Sequence, residues 1–178
     1  REYRVIPARW STRFTLATLV DSSKGGVRWV SGSEYSMHGT VTIVSGDSLL
    51  IQGAKTLRSA DSTGTKTLLV RGQFTARWAA GQGRPQFLAN SLSQPWGGIR
   101  LEYSGAASLA PASLIDSVYV SGATTGIEWV GGGPLIKRAT VVGSRGNGIR
   151  TVTPPGAPVA IDSSYVLFNA GSGIVALA

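Results

Sequence analysis

The 178-residue chain contains 24 glycines, a single histidine and no cysteine, and its net charge is +8. Only 15% of its residues are charged, against roughly a quarter in an average domain, while 42% are hydrophobic. This composition is poor in strong helix formers, so it excludes a helical bundle, and it is too apolar for a disordered chain. The lack of cysteine excludes disulfides and zinc fingers. The sequence contains no apolar stretch of about 18 residues, the length that a transmembrane helix needs. A single all-β domain is the class that remains.

Residues 1–34 match none of the repeats that occur further along the chain. They include six of the seventeen basic residues, all within the first 28 positions. We therefore predict an N-terminal extension or cap over 1–34, followed by one repetitive domain over 35–178. The excess of basic residues favours an acidic partner, and a generally basic, soluble surface is the alternative.

A first repeat lies near the start of the predicted repetitive domain. Residues 48–58 read SLLIQGAKTLR and residues 67–77 read TLLVRGQFTAR, at a shift of 19. The match predicts that the two segments occupy equivalent places in successive structural units.

A second repeat fills the C-terminal half. The dipeptide Gly-Ile recurs at steps of 28, 22 and 25 residues, at Gly98-Ile99, Gly126-Ile127, Gly148-Ile149 and Gly173-Ile174. Pairs of apolar residues five positions apart lie between these dipeptides: Ile115 with Val120, Ile136 with Val141, and Ile161 with Val166. From each valine to the next Gly-Ile isoleucine the spacing is 7 or 8 residues, which predicts strands joined by tight corners. The variable segments around 102–113, 130–134 and 152–158 hold Pro111 and Pro154, which predicts loops there.

This combination of fixed and variable spacing predicts a right-handed parallel β-helix, or β-solenoid, in which each unit is one coil stacked on the next. An antiparallel sandwich also has strands every 8–12 residues, but it does not account for the recurring Gly-Ile dipeptides. We predict parallel strands near 40–44, 48–52, 67–71, 98–102, 113–116, 126–129, 135–137, 148–151, 159–162 and 173–177.

Alternation of side chains along these strands predicts an inward stack and two outward rows. The inward stack consists of Ile99, Ile127, Ile149 and Ile174. The outward rows are Arg100–Glu128–Arg150 and Asp116–Lys137–Asp162. Equivalent residues of stacked coils lie about 4.8 Å apart, so each row alternates in charge and opposes a slip of register. We expect both rows to be exposed and structural, each pair contributing about 0–1 kcal/mol.

The stretch 35–104 resembles bacterial secreted and surface proteins of the right-handed parallel β-helix, pectin-lyase-like class. The resemblance is carried by YSMHGTVTIVSGDSLLIQGAKTL at 35–57 and by LLVRGQFTARWAAGQGRPQFLANSLSQPWGGIRLEYSG at 68–105, whereas 105–178 matches through the short repeat alone. The resemblance implies a secreted, periplasmic or cell-surface β-helix. It does not imply one function, because the fold hosts lyases, hydrolases, adhesins and spacers.

The candidates for catalysis are few. His38 is the only histidine and no G-x-S-x-G motif is present, so we predict a structural or surface role for it. Asp116 and Asp162 would lie two coils apart, near the upper end of the roughly 6.5–9.5 Å typical of inverting glycosidases. Lys137 or Arg138 on the coil between them would keep both carboxylates ionised, which does not suit a general acid. The hydrolase and lyase motifs of the resembled family are absent, and we expect no catalytic residue, metal or cofactor.

Arginines close to tryptophans are the candidates for binding, because exposed tryptophan rings and guanidinium groups stack on sugars or bases. They are Arg77, Trp78, Arg84, Trp96 and Arg100. The alternative is that Trp96 is a packing residue of the core or of a coil end.

The sequence of the last predicted coil indicates that something covers it. Residues 172–178 read SGIVALA, a strand whose apolar side chains and backbone edge are uncovered in the predicted fold. We expect Ile174–Ala178 to be covered by other protein subunits or by further chain. The sequence therefore predicts a non-catalytic secreted or surface module that is structural or binds a protein or an anionic glycan, with no specific nucleic acid as partner. A divergent polysaccharide lyase or glycoside hydrolase is the alternative function.

Overall fold

The computed structural model describes residues 2–4, 12–60, 63–91, 93–103, 113–153 and 160–177. It is an all-β, right-handed parallel β-solenoid of about 5 coils. The chain passes in each coil through three sheets, which we number 1 to 3 in the order of the chain. The predicted loop residues Pro111 and Pro154 lie outside the described residues, as do 104–112 and 154–159 around them.

Apart from one antiparallel hairpin near the N-terminus, each strand pairs in parallel with the equivalent strand of the neighbouring coil. Sheet 1 contains, in spatial order, β1 (Glu2–Arg4), β5 (Thr40–Ile43), β8 (Thr67–Val70), β11 (Gly98–Glu102), β14 (Ile127–Val130), β17 (Ile149–Val152) and β20 (Ile174–Leu177). Sheet 2 contains β2 (Arg13–Phe14), β6 (Ser48–Gln52), β9 (Gln73–Arg77), β12 (Leu114–Asp116), β15 (Leu135–Lys137) and β18 (Ala160–Asp162). Sheet 3 contains β3 (Val27–Ser31), β4 (Glu34–Met37), β7 (Thr56–Ser59), β10 (Gln86–Leu88), β13 (Tyr119–Ser121), β16 (Thr140–Val142) and β19 (Tyr165–Leu167).

The predicted inward stack is confirmed. Ile99 pairs with Ile127, Ile127 with Ile149, and Ile149 with Ile174. The first three isoleucines are fully buried, and Ile174 on the last coil is 50% exposed. The valines of the apolar pairs that lie between the Gly-Ile dipeptides, Val120, Val141 and Val166, are also in register with one another, on sheet 3. We call them the valine anchors. The predicted strand positions did not include β1, β2, β9 or the strands of this third sheet, although the spacing of its three valines had been identified.

The repeat with a shift of 19 is wrong as a structural equivalence. Ser48 on sheet 2 aligns with Gln73, a shift of 25, and Val41 on sheet 1 aligns with Leu68, a shift of 27. Residues 48–52 and 67–70 therefore belong to different sheets of successive coils. Their sequences are alike because strands of every sheet turn alternate apolar side chains to one shared core.

Gly126 and Gly148, two glycines of the Gly-Ile dipeptides, lie where neighbouring coils approach closely. A Cβ on Gly126 would overlap Val141 Cγ1 and come within 2.5 Å of the Gly148 carbonyl oxygen. A Cβ on Gly148 would overlap Val166 Cγ1 and lie 2.8 Å from the Gly173 carbonyl oxygen. Glycine before Ile127 and before Ile149 thus reflects a lack of room at the corner between sheets 3 and 1, whereas Gly173 on the last coil has room for a Cβ.

At the corner between sheets 2 and 3 the first residue after each of the last three strands of sheet 2 adopts a left-handed backbone conformation instead. Ser117, Arg138 and Ser163 follow equivalent strands and have φ values of 55°, 50° and 47°. A tight two-residue turn at this corner leads directly into the next strand of sheet 3. It places Arg138 one residue after the charged row of sheet 2, where its side chain reaches the neighbouring coil.

The register of both charged rows is confirmed, but their exposure is not as predicted. Arg100 aligns with Glu128 and Glu128 with Arg150, while Asp116 aligns with Lys137 and Lys137 with Asp162. Glu128 and Asp116 are buried, with 11% and 12% of their side chains exposed. Flanking arginine side chains from adjacent coils cover both carboxylates, since a guanidinium on a three-carbon stem can lie flat over its neighbour.

On sheet 1 the charged row extends into a network of five residues. Arg100 contacts Glu128 at 2.9 Å and Glu102 at 2.8 Å, and Arg150 binds the other oxygen of Glu128. Arg71 completes the network by contacting Glu102 at 3.0 Å. The network joins four successive coils and fixes their register along one face of the solenoid.

The segment before the first complete coil contains the helix α1 (Leu16–Ser22) and an antiparallel hairpin of β3 and β4. Thr15 caps the helix, accepting a hydrogen bond from the Thr18 amide at 3.3 Å. Leu16 and Leu19 are buried and belong to the same hydrophobic cluster as the coil residues. The division at 34/35 into cap and β-helix stays a prediction, although β4 already pairs in parallel with β7. Within the described residues, no helix is long and apolar enough to span a bilayer.

Candidate functional site

A polar groove of about 200 Å³ opens on the outer face of sheet 2, over the first three strands of that sheet. Its lining consists of two arginines, three uncharged polar residues and two leucines: Arg13, Arg77, Ser48, Gln73, Thr75, Leu49 and Leu50. The polar members lie at alternate positions of β2, β6 and β9, which turn them to the outside of the solenoid. The same alternation buries Phe14, Leu49 and Phe74 beneath the groove.

The two arginines stand at opposite ends of this groove. Arg13 aligns with Ser48 and, through it, with Gln73, whereas Arg77 lies four residues further along β9. Two strand spacings and four residues of strand place their Cα atoms about 16 Å apart. Both side chains are exposed, and the Arg77 Nη2 atom donates to Gln52 Oε1 at 3.3 Å.

Neither arginine of the groove is neutralised by an acid. Among the described residues, no carboxylate lies within 4 Å of Arg13 or Arg77. Asp116 is the strand neighbour of Arg77 in register, but its two oxygens are occupied by Arg138 from the following coil. The groove therefore has an uncompensated positive charge at each end, which favours ligands with separated anionic groups.

Trp78 and Arg84 lie on the corner that follows the groove. The Trp78 backbone amide donates to the Asp116 carbonyl at 3.2 Å, and 51% of the tryptophan is exposed. Arg84 stacks on the Tyr119 ring, with 5.1 Å between its Cζ atom and the ring centroid. Arg77 thus lines one end of the groove and Trp78 is the next residue of the chain, whereas Arg84 lies against sheet 3.

The other two sequence candidates are in different surroundings. Trp96 is 1% exposed, and its indole nitrogen donates to the Ser121 carbonyl at 3.2 Å, so its ring presents no face to solvent. The packing alternative fits this position. Arg100 belongs to the ion network of sheet 1, where Glu102 and Glu128 already occupy its guanidinium.

One of the two carboxylates considered for catalysis, Asp116, is paired with cations of the following coil. Desolvation acts to raise the pKa of Asp116, but hydrogen bonds from Arg138 and Ser117 and the charges of Arg138 and Lys137 outweigh it and leave that pKa below its usual value. Arg138 contacts the two Asp116 oxygens at 3.0 and 2.6 Å, and Lys137 lies 3.6 Å away. Asp116 is therefore held as an anion, which agrees with the predicted effect of an intervening cation.

Sequence reasoning missed Arg13, Ser48 and Gln73 as parts of one site. They are 35 and 25 residues apart in sequence and become neighbours through the registers of β2 with β6 and of β6 with β9. The assumed shift of 19 would have aligned Ser48 with Thr67 instead. The signal that could have placed Ser48 and Gln73 on one outer face was the alternation of these polar residues with the apolar residues Leu49, Ile51 and Phe74.

Within the described ranges, no group of three or more His, Asp or Glu side chains is arranged to hold a metal ion. No family model, curated protein or solved structure matches this chain. The function must therefore be inferred from the groove and the exposed surfaces.

Proposed function

We propose that the protein is a non-catalytic binding module whose sheet 2 groove holds an acidic polysaccharide. A secreted, periplasmic or cell-surface location and membership of the pectin-lyase-like class are parts of the same proposal. The observation that carries it is the pair of uncompensated guanidinium groups at the two ends of one polar groove. Guanidinium groups bind carboxylates in bidentate geometry, and such charge-assisted hydrogen bonds are roughly twice as strong as neutral ones.

The rest of the lining suits a sugar. Ser48, Gln73 and Thr75 supply hydroxyl and amide groups between the arginines, and sugar hydroxyls need such donors and acceptors. The exposed ring of Trp78, the residue that follows Arg77, offers an apolar face to a chain that extends past the groove. A flat, open groove of this kind suits a chain molecule, which can extend beyond both arginines.

Binding of oligogalacturonate, an acidic sugar chain, tests this proposal by calorimetry. The fully methyl-esterified oligomer is the matched neutral ligand, and we expect it to bind at least tenfold more weakly because the arginines lose their ionic partners. Replacing both groove arginines, Arg13→Gln with Arg77→Gln, is expected to weaken binding of the acidic oligomer by about 100-fold, roughly tenfold for each charged hydrogen-bonding group. Trp78→Ala should cost about another tenfold.

Lys24→Gln with Arg145→Gln is the control, since it removes two positive charges away from the groove. We expect its affinity to stay within about twofold of the native value, with both proteins binding more weakly as salt is raised. Equal binding of the acidic and esterified oligomers, or equal losses in the two double variants, would refute the groove as the site. Release of shortened or unsaturated products during the titration would favour the lyase or hydrolase alternative.

Assembly through the last coil is a second candidate function, favoured by the exposed apolar residues there. They are Tyr165, Leu167, Phe168, Ile174 and Leu177, with exposed fractions from 43% to 86%. Strands β18, β19 and β20 are the outermost strands of their sheets, and no described strand pairs with their outer edges. We propose a second copy of the chain as the occupant, because two identical edges can pair about a twofold axis.

Sedimentation velocity measures this assembly. We expect dimers of the native chain at tens of micromolar, and we expect Ile174→Lys to abolish them because it places a charge on the inward side of the edge strand. Leu135→Lys adds the same charge to an exposed position of sheet 2, on an inner coil, and should leave the dimer intact. A native chain that stays monomeric at high concentration would contradict the proposal.

A further inference from the structure

The only histidine of the chain lies beside a serine and an arginine on the outer face of sheet 3. Ser36 on β4 faces Arg28 on β3 across the antiparallel pair. The His38 Nε2 atom is 2.8 Å from Ser36 Oγ. His38 and Arg28 are exposed, so a small ligand can reach them from solvent.

The turn before β3 brings the arginine towards the histidine. The His38 amide donates to the Gly26 carbonyl at 2.9 Å, which fixes the residue after β4 against that turn. The Arg28 Nη2 atom lies 3.9 Å from the position of a Cβ on Gly25, so the guanidinium folds back over the same turn. The imidazole, the hydroxyl and the guanidinium are thus held around one corner of the hairpin.

The charges at this corner are unbalanced. Burial, followed by the Arg28 charge, lowers the pKa of His38 below its usual value of 6.5. Across the described chain, no carboxylate lies within 4 Å of His38 or Arg28, and the nearby Glu34 is paired with Arg58 at 2.9 Å. Among the described residues, the charged groups on the elements around the imidazole are Asp21 on α1, Lys24 in the turn, Arg28 on β3, Glu34 on β4 and Arg58 on β7.

We propose that Arg28, Ser36 and His38 form a binding site for a tetrahedral oxyanion, that is, a sulfate or phosphate group. Arg28 supplies a permanent charge with several N–H donors, Ser36 a hydroxyl that can turn towards the ligand, and His38 a ring N–H. The anion supplies the negative charge that the corner lacks. It stabilises the protonated imidazole against Arg28, so binding strengthens as the pH falls through the titration of His38. The site lies on sheet 3 and does not depend on the groove of sheet 2.

The single histidine makes the site directly observable, because its Hε1 signal in proton NMR stands alone. The chemical shift of this signal is titrated between pH 4 and 9, first in chloride and then with inorganic sulfate, which keeps both its charges over that range. The pH midpoint of each titration is the quantity compared. Without sulfate the midpoint is expected below 6.5. With saturating sulfate it should rise by at least half a pH unit, with a hyperbolic dependence on sulfate concentration. Inorganic phosphate should also raise the midpoint.

Arg28→Gln is the decisive variant. It removes an exposed charge, so the hairpin should still fold, and circular dichroism checks this. The midpoint of His38 without sulfate should rise in this variant, and the additional rise caused by sulfate should fall at least fivefold. Arg84→Gln, which removes a charge elsewhere on sheet 3, should leave both values unchanged. The same rise in Arg28→Gln as in the native chain, or an equal rise in sodium chloride of matched ionic strength, would overturn the site.

Discussion

Replacing Gly126 by alanine is expected to destabilise the solenoid by about 3 kcal/mol or more, a large part of the stability of an ordinary domain. The added methyl group would meet Val141 Cγ1, which is fully buried, and the carbonyl of Gly148. That carbonyl accepts the hydrogen bond of the Ile127 amide at 3.0 Å, so it cannot move away without breaking the ladder between coils. The change in the free energy of unfolding is measured by urea denaturation.

Gly173→Ala is the matched control, since it makes the same change at the same place of the Gly-Ile repeat. The nearest atoms to a Cβ on Gly173 belong to Val166 and lie 3.8 Å away, which is an ordinary contact distance. We therefore expect a change of less than about 1 kcal/mol, of either sign. Similar losses at Gly126 and Gly173 would show that glycine is needed at this corner for its backbone freedom and not for lack of room.

Asp116→Asn is expected to destabilise the protein by about 2–3 kcal/mol at pH 7, because it weakens charge-assisted hydrogen bonds from Arg138 and Ser117 at a buried position. The loss should depend on pH. The Asp116 carboxyl has a folded-state pKa below its usual value, so its contribution is complete above the unfolded pKa near 4 and is lost as the pH falls through the folded pKa. The free energies of the native chain and the variant should therefore converge at acidic pH.

Asp162→Asn provides the comparison on the same row of sheet 2. Asp162 is exposed, its Oδ1 atom accepts only from the adjacent Ser163 hydroxyl at 2.8 Å, and no cation of the described chain lies within 4 Å of its carboxylate. We expect a change within about 0.5 kcal/mol at pH 7. A stability difference at Asp116 that is the same at pH 3 and pH 7 would mean that the loss is one of packing and not of charge.

Patterns within single strands were enough to predict the coil. The Gly-Ile dipeptides and the valine anchors identified the inward stack from Ile99 to Ile174 and the alignment of Arg100 with Glu128, because apolar alternation and coil length together determine which residues stack. The repeat between 48–58 and 67–77 failed for a related reason. Strands of all three sheets share the same alternation, so a local match does not tell one sheet from another.

The sequence by itself determined the fold class, the stacking order of the isoleucines and the sign of each charge along the outer rows. Only the tertiary structure decided how those charges are used. Arg138, in a left-handed corner, covers Asp116 on the neighbouring coil, whereas no acid among the described residues reaches Arg13 or Arg77 at the ends of one groove. These contacts join residues 22 or more positions apart, and they depend on side-chain reach between coils, which no pattern along one strand encodes.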